Sequence, residues 1–322
     1  MNDWLPLLLV VVDLWVAVPL GLAVVVYVRG WRRLHRRVPQ RFGAGRLTAF
    51  VGGMVAIGAA LESPLHALGA QWLQAHMVQH LVLMMVAPPL LWLGAPLLPM
   101  LSGLPKPLLH RWVGPLVAWP PLTRVGQWLV RPAVAWAVFV GSTWVWHTPT
   151  LYERALASEG WHDAQHACFL ATALLFWWPV VQPWPRRPVV PSWGIVLYLI
   201  LADLQNTVLS AWLVFAERVI YPSYAAVSHP WGISALNDQA AAGAIMWVPG
   251  SVAFLIPVAW MVGQLLSPKG SQIIVLRHQP VVDGGVGRGS THQGEASCTQ
   301  RSRTRHMGHS RMSSSSVGGS VA

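Results

Sequence analysis

The chain has 322 residues, 54% of them hydrophobic and only 10% charged, with 20 tryptophans. Soluble domains carry about a quarter charged residues, so this length is spent on membrane spans in a lipid bilayer rather than on several soluble domains. The net charge of +11 is not a nucleic-acid signal, because the basic residues are confined to alternate loops and the C-terminal tail.

Seven apolar segments follow one another, where about 20 apolar residues make a full span. The first covers 5–28. The residues before it lack the basic flank and small-residue cleavage site of a secretory signal, so it reads as a retained span. The others cover 47–61, 75–98, 133–147, 166–181, 193–215 and 240–266. The second, fourth and fifth are short, and their helices are expected to extend into flanking sequence. Residues 267–322 change to Ser, Gly, Arg and His, with the run Ser313 to Ser316. They read as a disordered basic cytoplasmic tail. The expected fold is all-α, a polytopic transmembrane bundle over residues 1–266.

Orientation follows from the positive-inside rule. Seven arginines lie between Arg29 and Arg46. Lys106, Arg111, Arg124 and Arg131 fall in the third loop, Arg186 and Arg187 in the fifth, and seven more basic residues in the tail. Only Arg154 and Arg218 of the 22 basic residues fall in the intervening loops on the other side, which hold Glu62, Glu153, Glu159, Asp163 and Glu217. The N-terminus is therefore expected outside and the C-terminus in the cytoplasm.

Histidine was not used in that count, yet five histidines fall at the outer ends of spans. His76 and His80 open the third span, His147 closes the fourth, and His162 and His166 lead into the fifth. Both pairs are spaced i,i+4, so each projects two imidazoles from one helix face. Imidazole is the commonest protein ligand for transition metals, and polar groups in spans are costly and usually functional. His147 precedes Thr148 and Pro149, which should end its helix and leave the ring facing the outer surface.

Met84 continues the stripe of His76 and His80, and a thioether below two imidazoles suits copper(I). Met77 and Met85 face elsewhere on an ideal helix and read as packing. Pro88 and Pro89 should kink the span. In the last span, Asp238 stands at the outer mouth as a metal ligand or a helix N-cap, and Met246 lies about two turns deeper as a second soft ligand. The small residues Ala240 to Ala244 allow close helix approach. Asp163 points off the face of its histidine pair, and Cys168 reads as a small packing residue. Asp13 and Asp203 are carboxylates inside spans, the latter in a polar patch with Gln205 and Asn206. His66 and His229 are outer-loop histidines with weaker claims, and His35 and His110 lie on the opposite side. No nucleotide-binding, hydrolase, protease or haem-attachment motif occurs, and the chain is not expected to be an enzyme.

Taken together, HMVQHLVLMMVAPPLLWLGAP from His76, WHTPTLYERAL from Trp146, HDAQHACFLATALLFWWPV from His162 and DQAAAGAIMWVPG from Asp238 resemble the CtaG family. These are integral-membrane assembly factors of caa3-type cytochrome c oxidase. The resemblance covers residues 5–266. It implies a seven-span bacterial plasma-membrane protein with oxidase subunits as partners, which helps a haem–copper oxidase of the respiratory chain to mature at its copper centre. His76, His80, His147, His162, His166 and Asp238 fall on the family's recurring polar positions, whereas His66 stands where an acid is expected. The expectation is thus a copper chaperone. Histidines on facing helices also suit a membrane b-type cytochrome binding haem, and a copper permease is a third reading.

Overall fold

A computed structural model describes residues 14–183, 192–226 and 232–267. The N-terminal segment with Asp13, the loop with Arg186 and Arg187, His229 and the tail lie outside the described residues. Every regular element among those described is helical.

Helix α1 (Leu14–Arg37) continues well past the apolar segment, so the arginines from Arg29 to Arg37 are on a helix rather than in a loop. Helix α2 is Ala44–Glu62, and the short α3 (Pro64–Gly69) is capped by Ser63, whose hydroxyl accepts from Leu65 N. The third span runs from α4 (Leu73–Leu81) through a π turn (Val82–Val86) into α5 (Ala87–Leu93), followed by α6 (Leu97–Gly103). After short helical pieces come α7 (Pro120–Leu129) and α8 (Pro132–Trp146), then α9 (Pro149–Ala157) and α10 (Glu159–Val181). The chain closes with α11 (Ser192–Val214), α12 (Pro222–Ala225) and α13 (Ala235–Leu266).

Six of these stretches are long and apolar enough to cross a membrane, and the bent pair α7 and α8, taken as one broken span, makes seven. The second and fifth extend as expected. The fourth does not, because Pro132 starts α8, and α7 before it is turned by 74°. At 15 residues α8 is about 22 Å long, short of a hydrocarbon core of about 30 Å. Exposed apolar residues such as Leu22, Val55, Leu204 and Ile256 give the bundle a surface suited to lipid.

Small residues set the helix spacing. A Cβ on Gly30 would lie 1.8 Å from Pro99 O, and one on Gly103 1.9 Å from Val26 O, so α1 and α6 meet backbone to backbone. In α13, Gly243 packs on Leu213 and Val214, as the run Ala240 to Ala244 anticipates, and Gly250, beyond that run, packs on Asn206.

The prolines of the third span act through the π turn. Pro88 and Pro89 have no N–H, so neither an α nor a π bond can reach Met84 O. The indole Nε1–H of Trp177 in α10 donates to that carbonyl at 2.8 Å instead.

Candidate metal centre

The histidines converge at one end of the bundle, contributed by α3, α4, α8 and α10. Ring centroids of His76 and His80 are 4.3 Å apart, and those of His162 and His166 are 4.2 Å apart. Across the helices, His76 lies 5.1 Å from His162 and 5.8 Å from His166, and His80 lies 5.3 Å from His166. His147 is 6.1 Å from His80. One ring nitrogen each from His76, His80 and His166 falls within 4.8 Å of the others.

Hydrogen bonds fix several tautomers. Tyr224 Oη donates to Gly69 O at 2.9 Å and accepts from His76 Nδ1 at 3.3 Å, which makes His76 Nε2 the acceptor nitrogen of that ring. That nitrogen accepts from His80 Nε2–H at 2.8 Å, which leaves the lone pair of His80 on Nδ1. His147 Nδ1 donates to Thr143 O at 2.7 Å, so its Nε2 also keeps a lone pair. An imidazole with one nitrogen anchored and the other bare is the arrangement that orients a metal ligand.

His80 Nδ1, His147 Nε2, His162 Nε2 and His166 Nε2 are buried with no hydrogen-bond partner. Such groups are rare and costly in a membrane interior. Two nitrogens each about 2.0 Å from an ion stand about 2.8 Å apart at a right angle and about 3.3 Å apart at the tetrahedral angle. The His76 to His80 hydrogen bond has the length at which the same two nitrogens would meet one ion at a right angle once the shared proton is lost.

His147 ends its helix as expected, yet its ring is 2% exposed and turns into the bundle rather than toward the surface. Tyr221, whose hydroxyl donates to His147 O at 3.0 Å, covers that end. His66 belongs to the group: its ring is 5.3 Å from His162, and Gln79 Nε2 donates to its Nδ1 at 3.3 Å. The resulting order is His66 exposed, His162 half-buried, and His76, His80, His147 and His166 buried.

Three tyrosines close the site from the side. Tyr152 stacks on Tyr221 at 4.0 Å, and its ring lies 5.4 Å from His76. Burial pushes the Tyr152, Tyr221 and Tyr224 hydroxyls above their ordinary range, so they remain protonated hydrogen-bonding groups. A sequence signal for further members was present, since both pairs are spelled H-x-x-Q-H, at 76–80 and 162–166. Gln79 and Gln165 are both fully buried.

Asp238 is 1% exposed, and its carboxylate accepts from Leu73 N at 2.7 Å and Gln74 N at 3.3 Å. It caps α4, whereas its own helix is capped by the Ser234 hydroxyl accepting from Asn237 N. The charge at the α4 N-terminus is favoured by the helix dipole and sets the turn that carries His76. Asp163 is exposed, and Cys168 Sγ is 3.2 Å from Ser142 Oγ. Asp203 is half-buried with Oδ1 unpaired. Gln205 accepts from Trp144 Nε1 at 3.1 Å, and Asn206 donates to Met246 O at 3.1 Å.

Below the histidines lies a cavity of about 30 Å³, lined by Met77, His80, Leu81, Met84, Met85, Phe139, Thr143, His147, Gln205, Asn206 and Met246. Met84 and Met246 are thus brought together with His80 and His147. Met77 and Met85, expected to face elsewhere, line the same space. For Met85 the reason is the π turn, whose extra residue per turn rotates the chain after Val82 off the ideal α register.

Residues 25–267 match the sequence profile of the cytochrome c oxidase caa3 assembly factors. Uncharacterized proteins of Mycobacterium bovis and Mycobacterium tuberculosis are each 27% identical over 246 residues, 74% of this chain and 36% of theirs. One of Mycobacterium leprae is 26% identical over 253 residues, 77% of this chain and 38% of its own. The chain thus spans little more than a third of the curated relatives it matches. No solved structure matches it significantly. The profile match takes in every histidine of the cluster together with the third-span prolines and Asp238, and it shows that the chain belongs to the cytochrome c oxidase caa3 assembly factor family.

Proposed function

We propose that the chain is a non-catalytic copper-handling factor that holds a copper ion in its histidine cluster and passes it to a haem–copper oxidase in the same membrane. The observation that carries this reading is the group of buried imidazole nitrogens without partners, supplied by α4, α8 and α10. His76, His80 and His166 form the centre of the ligand set, with His162 and His147 beside them. His66 stands at the solvent side, where an incoming ion meets its first imidazole. Asp238 positions α4, and its carboxylate is already engaged there.

The positive-inside count puts this end of the bundle on the outer face of a bacterial plasma membrane. Copper would then be received outside and handed over without crossing. Packed aromatics deeper in the bundle favour this over a permease: Phe139 stacks on Phe176 at 4.3 Å, and Phe254 meets Phe176 edge-on at 5.7 Å. The size of the cavity directly below the cluster, at His80 and His147, favours an ion over haem there. About 30 Å³ accommodates one water or ion, whereas sites for larger organic ligands occupy roughly 300 Å³ or more.

The test is deletion of the gene under limiting copper, with oxidase copper content and activity as readouts. The oxidase should be copper-deficient, rescued by the wild-type gene and not by an H76A/H80A allele. A copper-replete oxidase in the deletion strain, or full rescue by that allele, would contradict the proposal.

A further inference from the structure

The geometry points to a second, deeper copper compartment: a thioether site for copper(I), formed by Met77, Met84, Met85 and Met246 with His147, and joined to the histidine cluster through the two faces of His80. This deepens the copper reading and rests on it.

Four sulfur-bearing side chains from α4, the π turn and α13 line one cavity of about 30 Å³, room for a single ion. Met77, Met84 and Met246 are at least nine-tenths buried. Methionine fills irregular gaps in many cores, so the sulfurs alone do not define a site. The second observation is that the same cavity is lined by two histidines, each almost completely buried and each with one unpartnered ring nitrogen.

His147 is anchored through Nδ1, which leaves Nε2 bare. His80 faces His76 through Nε2 and has nothing on Nδ1. One imidazole thus has a nitrogen for each compartment. Soft thioethers with one or two imidazoles select copper(I), while an all-imidazole cluster also accepts copper(II). The cluster therefore holds either oxidation state and the deeper compartment only copper(I), so the ion that passes between them is copper(I) throughout. An ion moving inward exchanges imidazole for sulfur, one ligand at a time; His80 releases it from Nε2, takes up a proton there, gives its Nδ1 proton to a neighbouring imidazole and binds again through Nδ1. Transfer alone is proposed, and no electron changes hands in it.

The full chain, purified in detergent, would be loaded anaerobically with copper(I) and examined by copper K-edge absorption, with affinity read by chelator competition. Wild-type protein should show sulfur scattering at about 2.3 Å. The variants M84L and M246L keep nearly the same volume. They should lose part of that scattering and, combined, weaken copper(I) binding by about tenfold or more while copper(II) binding stays within about twofold. H76A/H162A should show the converse, with impaired copper(II) binding and a sulfur-containing copper(I) spectrum. A copper(I) spectrum of wild-type protein with nitrogen ligands only would overturn the proposal even if the leucine variants failed to fold. Unchanged copper(I) affinity in folded M84L/M246L would do the same. Failure of the histidine cluster as a copper site shows separately, as copper(II) binding unaltered in H76A/H162A.

Discussion

Replacing Asp238 by alanine should damage the metal centre without touching any imidazole. Its carboxylate accepts the backbone N–H groups of Leu73 and Gln74, the first two residues of α4. Hydrogen bonds to charged groups contribute about 1.5–3 kcal/mol each, and the buried donors left behind would find no other partner. The 3.3 Å contact to Gln74 belongs at the lower end of that range. The expected loss is about 3 kcal/mol, roughly a hundredfold in an equilibrium constant. Because His76 lies within the first turn, part of this loss should appear in copper affinity and the rest in stability. D238N keeps one acceptor oxygen and should lose about half as much. Unfolding of the detergent-purified protein, together with chelator competition for copper, measures both shares. A D238A protein within about 0.5 kcal/mol of wild type, with unchanged copper affinity, would refute the capping argument.

Three further outcomes follow from contacts elsewhere. W177F removes the only indole donor to Met84 O, which Pro88 and Pro89 cannot serve, and should cost about 1–2 kcal/mol in the same unfolding assay. An equally stable W177F would show that the carbonyl needs no partner. G103A places a methyl 1.9 Å from Val26 O. It should force α1 and α6 apart, seen as loss of folded protein on size exclusion, whereas G126A, with open space around it, should behave as wild type. H66A should slow copper loading in stopped-flow mixing while leaving the final stoichiometry unchanged, because His66 is the exposed member of the group. Loss of stoichiometry would make it a ligand of the bound ion instead.

The spans and the shared depth of the five histidines were legible because hydropathy and the asymmetry of arginine are strong one-dimensional signals. His76, His80, His147, His162 and His166 could be placed at one end before any helix was packed. What packing adds was not legible. In the sequence His66 is one loop histidine among others, and α3 folding back beside α10 brings its ring to His162. Tyr152, Tyr221 and Tyr224 are far apart in sequence and meet through tertiary contact. Met77 and Met85 were read off an ideal 3.6-residue helix. The π turn before two prolines breaks that register for Met85, whereas Met77, in the regular turn before it, reaches the cavity through packing. Asp238 was read within its own helix, while its partners are the N–H groups of a helix 165 residues earlier. Pro132, which separates α8 from α7, was visible in the sequence, but the 74° turn there was not.

The central claim is that the buried imidazoles bind copper, and it is tested most directly by metal analysis of the purified chain after copper loading and desalting. Wild-type protein should retain at least one copper per chain, and H76A/H80A should lose the ion held by the cluster while remaining folded. Wild-type protein without stoichiometric copper, or a folded H76A/H80A variant that retains all of it, would contradict the account.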